Sequence, residues 1–186
     1  SKFIPEFKNM TVFKDGKLVA AEHEMTMHHL LTHAAGFAYG AVHQPDDSFV
    51  YSDPADVMFT KANLWQAKDL DEFAEKLAKV PLKYEPGTQW HYGVAVDVTG
   101  LVVQRISGQS FDEYLTEHIF RPLDMYDTFF AVPPDKAHRF LPNHYRDLET
   151  GKTHLIPPEG TPDVGYSIFD PCAAQCDFTN VTLFLG

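Results

Sequence analysis

The 186-residue chain is long enough for one substantial core, and its hydrophobic fraction of 44% is ordinary for a globular domain. Acidic residues outnumber basic ones by 26 to 15, and the resulting net charge of -11 disfavours phosphate backbones and anionic membrane surfaces, so no nucleic acid partner is expected. No run approaches the roughly 18 apolar residues of a membrane span, no signal or lipidation pattern is present, and two cysteines, Cys172 and Cys176, are too few to define a disulfide framework.

In chain order, the Asp15-Gly16 pair between the apolar runs Thr11-Val12-Phe13 and Leu18-Val19 predicts a hairpin within Met10 to Ala21. Thr26 is placed to cap a short helix, Met27 to His33, closed by Gly36. His29 and His33 have the four-residue spacing of a zinc pair, but no glutamate lies between them and no third ligand is evident. Hydrogen-bonded histidines at a helix edge are therefore expected, and no metal. Phe37 to Asn63 has little periodicity and many rings, including Tyr39, Phe49, Tyr51 and Phe59, with Trp65 nearby. It reads as a long loop that walls an apolar pocket or is held down by its own aromatics.

Asp69 to Val80 is the clearest amphipathic helix, with a capping-box spacing at Asp69 and Glu72, a stripe of Leu70, Phe73, Ala74, Leu77 and Val80, and a stop at Pro81. Tyr84 to Gly108 organises the rest. It opens on a Pro86-Gly87 turn, passes Trp90, His91 and Tyr92, and becomes a helix from about Val94 to Ser107 that is expected to bury Val98, Leu101, Val102 and Ile106. Tyr92 thus stands where a turn hands over to a core helix, a place from which a phenol can be aimed with little slack. Asp97 falls in the first turn, where the helix dipole favours a carboxylate. Ser110 with Glu113 signals a further capped helix from Phe111 to about Phe120, ended by Arg121-Pro122. Phe140 to Ile156 fits two strands about a turn at Glu149-Thr150-Gly151-Lys152, whereas Pro157 to Pro171 is too rich in proline and glycine for regular structure. Both ends read as cut, since SKFIPEF carries apolar residues with no element before it and VTLFLG stops in strand-like sequence. The chain holds no phosphate loop, no GxSxG elbow and no Ser-x-x-Lys pair.

Three stretches, MTMHHLLTHAAGF, PLKYEPGTQWHYGVAVDVTGLVVQRISGQSFDEYL and IFRPLDMYDTFF, resemble the serine β-lactamase-related family. That family comprises class C β-lactamases, D-alanyl-D-alanine carboxypeptidases, and carboxylesterases and acyltransferases on the same fold. The resemblance runs from about Phe3 to Ile156 and implies an α+β, β-lactamase/transpeptidase-like fold. Residues 1–186 would be a partial domain, mostly the helical subdomain with part of the α/β portion, lacking the nucleophile segment and the C-terminal sheet segment.

The resemblance also implies an acyl-enzyme mechanism, in which a serine attacks a carbonyl, a lysine one helical turn later activates it, and a tyrosine shuttles the proton to the leaving group. Tyr92 matches that tyrosine. Its phenol, with an ordinary pKa near 10, would need the lysine's positive charge beside it to act as a base. Tyr39, Trp65, Trp90, His91 and Val94 are the expected substrate-pocket residues, while His33, Gly36 and Asp97 are expected to shape the site without performing chemistry. Lactamases and peptidases of the family usually carry Tyr-x-Asn, and here the triplet is Tyr92-Gly93-Val94. Valine cannot hydrogen-bond a substrate amide, so the pattern looks more like the esterase and acyltransferase branch. The expectation is a serine carboxylesterase for small or medium acyl esters, needing no cofactor, with a small-molecule ester as partner. The alternatives are a transacylase, a β-lactamase or D-Ala-D-Ala carboxypeptidase, and a non-catalytic binding protein on a degenerate fold.

Overall fold

A computed structural model describes residues 2–40, 42–43, 49–50, 54–130, 132–139, 144–147 and 150–155. The irregular stretch expected from Pro157 to Pro171 and the Cys172 and Cys176 pair lie outside them.

Pro5–Asn9 forms a 3-10 turn that leads into β1 (Thr11–Lys14) and β2 (Lys17–Ala20), an antiparallel hairpin with Thr11 opposite Ala20 and Lys14 opposite Lys17. Asp15 and Gly16 at its tip have φ of 50° and 74°, the doubly left-handed turn that matches strand twist. Helix α1 (Met27–Leu31) carries a capping box between Thr26 and His29. It ends two residues earlier than expected, because the chain turns back at His33, whose φ is 53°.

The ring-rich stretch is not simply a loop. It contains a two-residue pair, β3 (Val42–His43) with β4 (Phe49–Val50), and then α2 (Pro54–Lys61). Proline suits a first helical turn, having no N–H to leave unsatisfied, and Ala55, Asp56 and Phe59 are the residues α2 buries. One of these is an aspartate, which breaks the hydrophobic periodicity that would have marked the helix. Its partner is Lys83, whose ammonium sits 2.8 and 3.0 Å from the two carboxylate oxygens. Removing either partner alone would strand a buried charge, at a cost of about 3–5 kcal/mol.

Helix α3 (Leu70–Leu77) is capped by Asp69, which accepts from the Glu72 backbone, but Glu72 reaches back to the N–H of Lys68, one residue before the cap. Helix α4 (Ala95–Ser107) packs against α1, α3 and α5 (Phe111–Leu115). Val98, Leu101 and Val102 are buried as expected, whereas Ile106 is 61% exposed. Eight residues beyond Val98, Ile106 lies about 80° around the helix from it, past the edge of the buried face at Ala95 and Val102. Ser110 makes no side-chain cap bond, and α5 continues through a π-helical turn, Thr116–Phe120. Phe111 lies over Gly100, where a Cβ would meet its ring edge at 3.0 Å. The expected late strands are β5 (His144–Arg146) and β6 (Thr153–Leu155), antiparallel to each other.

One apolar cluster, with members from Ile4 to Val102 that include Phe37, Phe59, Phe73, Leu77, Leu82 and Leu101, joins β1 to α1, α2, α3 and α4. Leu82 joins the hairpin to it, accepting from Phe13 N and donating to Thr11 O. Gly36 is required where this core meets the backbone at Tyr84: its φ is 84°, and a Cβ there would run into the Tyr84 carbonyl oxygen. Left-handed backbone costs an L-residue about 1–2 kcal/mol before any clash. Gly36→Ala should therefore lower the free energy of unfolding in urea by at least about 2 kcal/mol, and a loss below about 0.5 kcal/mol would contradict this account.

Candidate active site around Tyr92

The backbone that carries Tyr92 is laced to the end of α1. Lys83 N donates to Gly36 O at 2.8 Å, Gly87 N to Ala34 O at 2.7 Å, and His91 N to His33 O at 2.8 Å. The chain then passes under residues 37 and 38 at Gly93, where a Cβ would lie 2.7 Å from Phe37 O and 2.8 Å from Ala38 Cα. Only a residue without a side chain allows that approach, and it brings Tyr39 beside Tyr92.

The result is a continuous series of rings. Trp90 stands 6.4 Å from His33, His33 4.7 Å from Tyr92, Tyr92 5.3 Å from Tyr39, Tyr39 5.7 Å from Trp65, and Trp65 6.0 Å from Phe73, between centroids. Tyr39 and Trp65 are stacked, with 27° between their planes. Tyr92 is 43% exposed, so the series opens to the surface at its phenol.

The electrostatics are set by burial. Tyr39 is pushed well above the ordinary phenol range, first by burial, next by its hydrogen bond with Tyr92, and then by the negative Asp97. A bond that raises a phenol's pKa favours its protonated form, so Tyr39 holds its proton beside Tyr92. Asp97 is buried and its pKa is raised to about 7, with desolvation as the main cause. Asp97 does lie in the first turn of α4 as expected, and that turn faces inward, so burial is added to the helix-dipole setting. His33 combines a left-handed backbone with a buried Nδ1 that has no hydrogen-bond partner among the described residues.

The other expected residues are placed unevenly. Trp65 and Tyr39 stand together, half-buried, along one side of Tyr92. Trp90 is 70% exposed and touches the series only through His33. The His91 ring packs edge-on against Tyr84 at 5.6 Å, which directs it into that contact. Val94 departs from expectation: it is 0% exposed, packed into the core as the residue preceding α4, and so lines no open surface. His29 and His33 do not share a helix face, since His29 Nδ1 accepts from Thr26 N in the cap while His33 lies past the helix end. Among the described residues no group of three or more His, Cys, Asp or Glu is arranged to hold a metal ion. Sequence reading missed the Tyr39–Tyr92 hydroxyl pair and the role of Gly93; the one available signal was a glycine directly after the singled-out tyrosine.

The Beta-lactamase family model matches residues 1–165, and the chain belongs to that family. It is 34% identical over 143 residues to Esterase EstB of Burkholderia gladioli, an alignment covering 73% of this chain and 32% of that protein. It is 27% identical over 159 residues to Acyltransferase mokF of Monascus pilosus, covering 81% of this chain and 36% of that one. The unliganded simvastatin synthase LovD of Aspergillus terreus superposes with a TM-score of 0.61 at 26% identity, over 83% of this chain and 39% of that chain. The chain spans about a third of the length of the two curated relatives. The fold is α+β and β-lactamase/transpeptidase-like, with a helical subdomain and a small sheet region.

A carboxyl whose pKa is raised by folding stabilises the fold below its unfolded pKa, near 4, and loses that contribution as pH rises to about 7. Asp97→Asn removes the ionisation. Its melting temperature should match the parent's near pH 4, exceed it increasingly up to pH 7, and hold a constant advantage above that. Parallel pH dependences for the two proteins would show that Asp97 ionises in the fold as easily as in the unfolded chain.

Proposed function

We propose that this member of the Beta-lactamase family contributes the tyrosine side of a serine acyl-transfer site, and that the protein is a carboxylesterase acting on small or medium acyl esters. The observation that carries the reading is the phenol pair: a half-exposed Tyr92 whose ring lies 5.3 Å from that of a half-buried, firmly protonated Tyr39, within a ring-lined surface. In the proposed reaction a serine oxygen attacks the ester carbonyl carbon and the tetrahedral intermediate collapses with cleavage of the carbon–oxygen ester bond. Tyr92 passes the proton lost by the serine to the departing alcohol, and water then attacks the acyl-serine. Negative charge appears on the Tyr92 oxygen while it holds no proton, and the protonated Tyr39 beside it would donate a hydrogen bond to that charge.

The chain has no Ser-x-x-Lys pair, so the nucleophile and its lysine are assigned to sequence outside these 186 residues. A buried valine at position 94, where the lactamases and peptidases present an amide, supports an ester over a lactam or peptide. Tyr39, Trp65 and Trp90 offer apolar faces for an acyl group. A transacylase is the second reading, supported by the likeness to the Monascus acyltransferase. The two differ in whether water or a second alcohol reaches the acyl-enzyme.

Intact-protein mass spectrometry of the longest natural form after exposure to a p-nitrophenyl ester tests the proposal. An acyl adduct and ester turnover are expected, with turnover reduced about 10²–10⁴-fold in Tyr92→Phe, the range for a lost general acid–base group. A folded protein with neither adduct nor turnover would refute it, and faster adduct loss on adding an alcohol would select the transacylase.

A further inference from the structure

We propose that the buried Asp56–Lys83 ion pair is a positioning device for the tyrosine site, fixing residues 36–40 so that the Tyr39 hydroxyl meets Tyr92. The proposal rests on the acyl-transfer reading for its catalytic consequence, and on geometry alone for its structural one.

The two side chains are 2% and 4% exposed, with the ammonium held by both carboxylate oxygens. Each partner also touches one end of the segment that carries Tyr39. Lys83 donates its own backbone N–H to Gly36 O. The Asp56 carbonyl oxygen lies 3.2 Å from the position of a Cβ at Gly40, and Thr60 N lies 2.9 Å from it. Thr60 Oγ1 donates to that same Asp56 carbonyl, so this face of α2 is tied together where Gly40 rests on it. The circuit Gly36, Lys83, Asp56, Gly40 therefore closes around Ala38 and Tyr39. Beyond α2 the chain turns at Asn63, with φ of 47°, into a 3-10 turn that presents Trp65 to the Tyr39 ring. A slip of α2 would thus move both the support under Tyr39 and the ring stacked upon it.

Burying two charges is a poor route to stability, since apolar residues of similar volume often serve as well or better. What an apolar pair lacks is a fixed direction and distance. An ammonium gripped by two oxygens holds α2 in one register against the segment around Lys83, and misplacement of a reacting group by about 1 Å can cost about 100-fold in rate.

The test is the double variant Asp56→Leu with Lys83→Met, which removes both charges together and so avoids the lone buried charge left by either single change. Two measurements are made: ring-to-ring nuclear Overhauser effects among Tyr39, Tyr92 and Trp65 in the 186-residue chain, and kcat and KM for p-nitrophenyl acetate in the longest natural form. The variant is expected to melt within a few degrees of the parent and to lose the Tyr39–Tyr92 effect. In the long form, kcat should fall about 10- to 100-fold with KM changed less than about threefold. A variant that folds with the ring contacts and kcat unchanged overturns the proposal by making the pair dispensable. One that melts far earlier overturns it by making the pair a stability element. Absence of ester turnover in the parent would sink the acyl-transfer reading instead, and the ring contacts would still decide whether the pair positions Tyr39.

Discussion

The arrangement depends first on the backbone hydrogen bonds between the end of α1 and the segment that leads to α4. Three bonds, from Lys83, Gly87 and His91 to Gly36, Ala34 and His33, hold two stretches some fifty residues apart in sequence in fixed register. Backbone groups cannot be removed by side-chain variation, and buried ones must be paired. These bonds therefore set the position of Tyr92 before any side chain acts. Where they end, Gly93 lets the chain touch the Phe37 and Ala38 backbone, and the two tyrosines come within 5.3 Å.

Around those bonds the fold keeps several ionisable groups out of water and uses each differently. Asp56 and Lys83 neutralise one another inside the core and keep α2 in register. Asp97 forms no ion pair among the described residues, and desolvation drives its pKa up to about 7. Tyr39 lies near enough to feel that carboxylate and holds its proton the more tightly for it. At the periphery, Arg105 joins Glu6, Asp71 and the Phe3 carbonyl, tying the N-terminal 3-10 turn and α3 to α4. Its more exposed setting makes each of those pairs worth little alone.

The family resemblance and the geometry meet at Tyr92. The resemblance singles out that residue by its motif, and the structure surrounds it with rings, a half-buried protonated phenol and a histidine whose Nδ1 has no partner among the described residues. The departure at Val94 acquires a physical meaning from its burial: the position contributes to the core beneath α4 and offers no polar atom to a ligand.

Local pattern alone determined the hairpin at Asp15-Gly16, the cap at Thr26, the amphipathic stripe of α3 and the buried face of α4 as far as Val102, because turn conformation, capping and helical period act over a few residues. The motifs around Tyr92 likewise announced the family. Helix α2 was hidden because its inward face includes Asp56, a residue tolerable there only through Lys83, 27 positions away. Ile106 was read as core because a stripe continued on paper drifts around a real helix. The pairing of Tyr39 with Tyr92 and the desolvation of Asp97 belong to tertiary structure alone, since each arises from which distant surface covers a group and how much water that surface excludes.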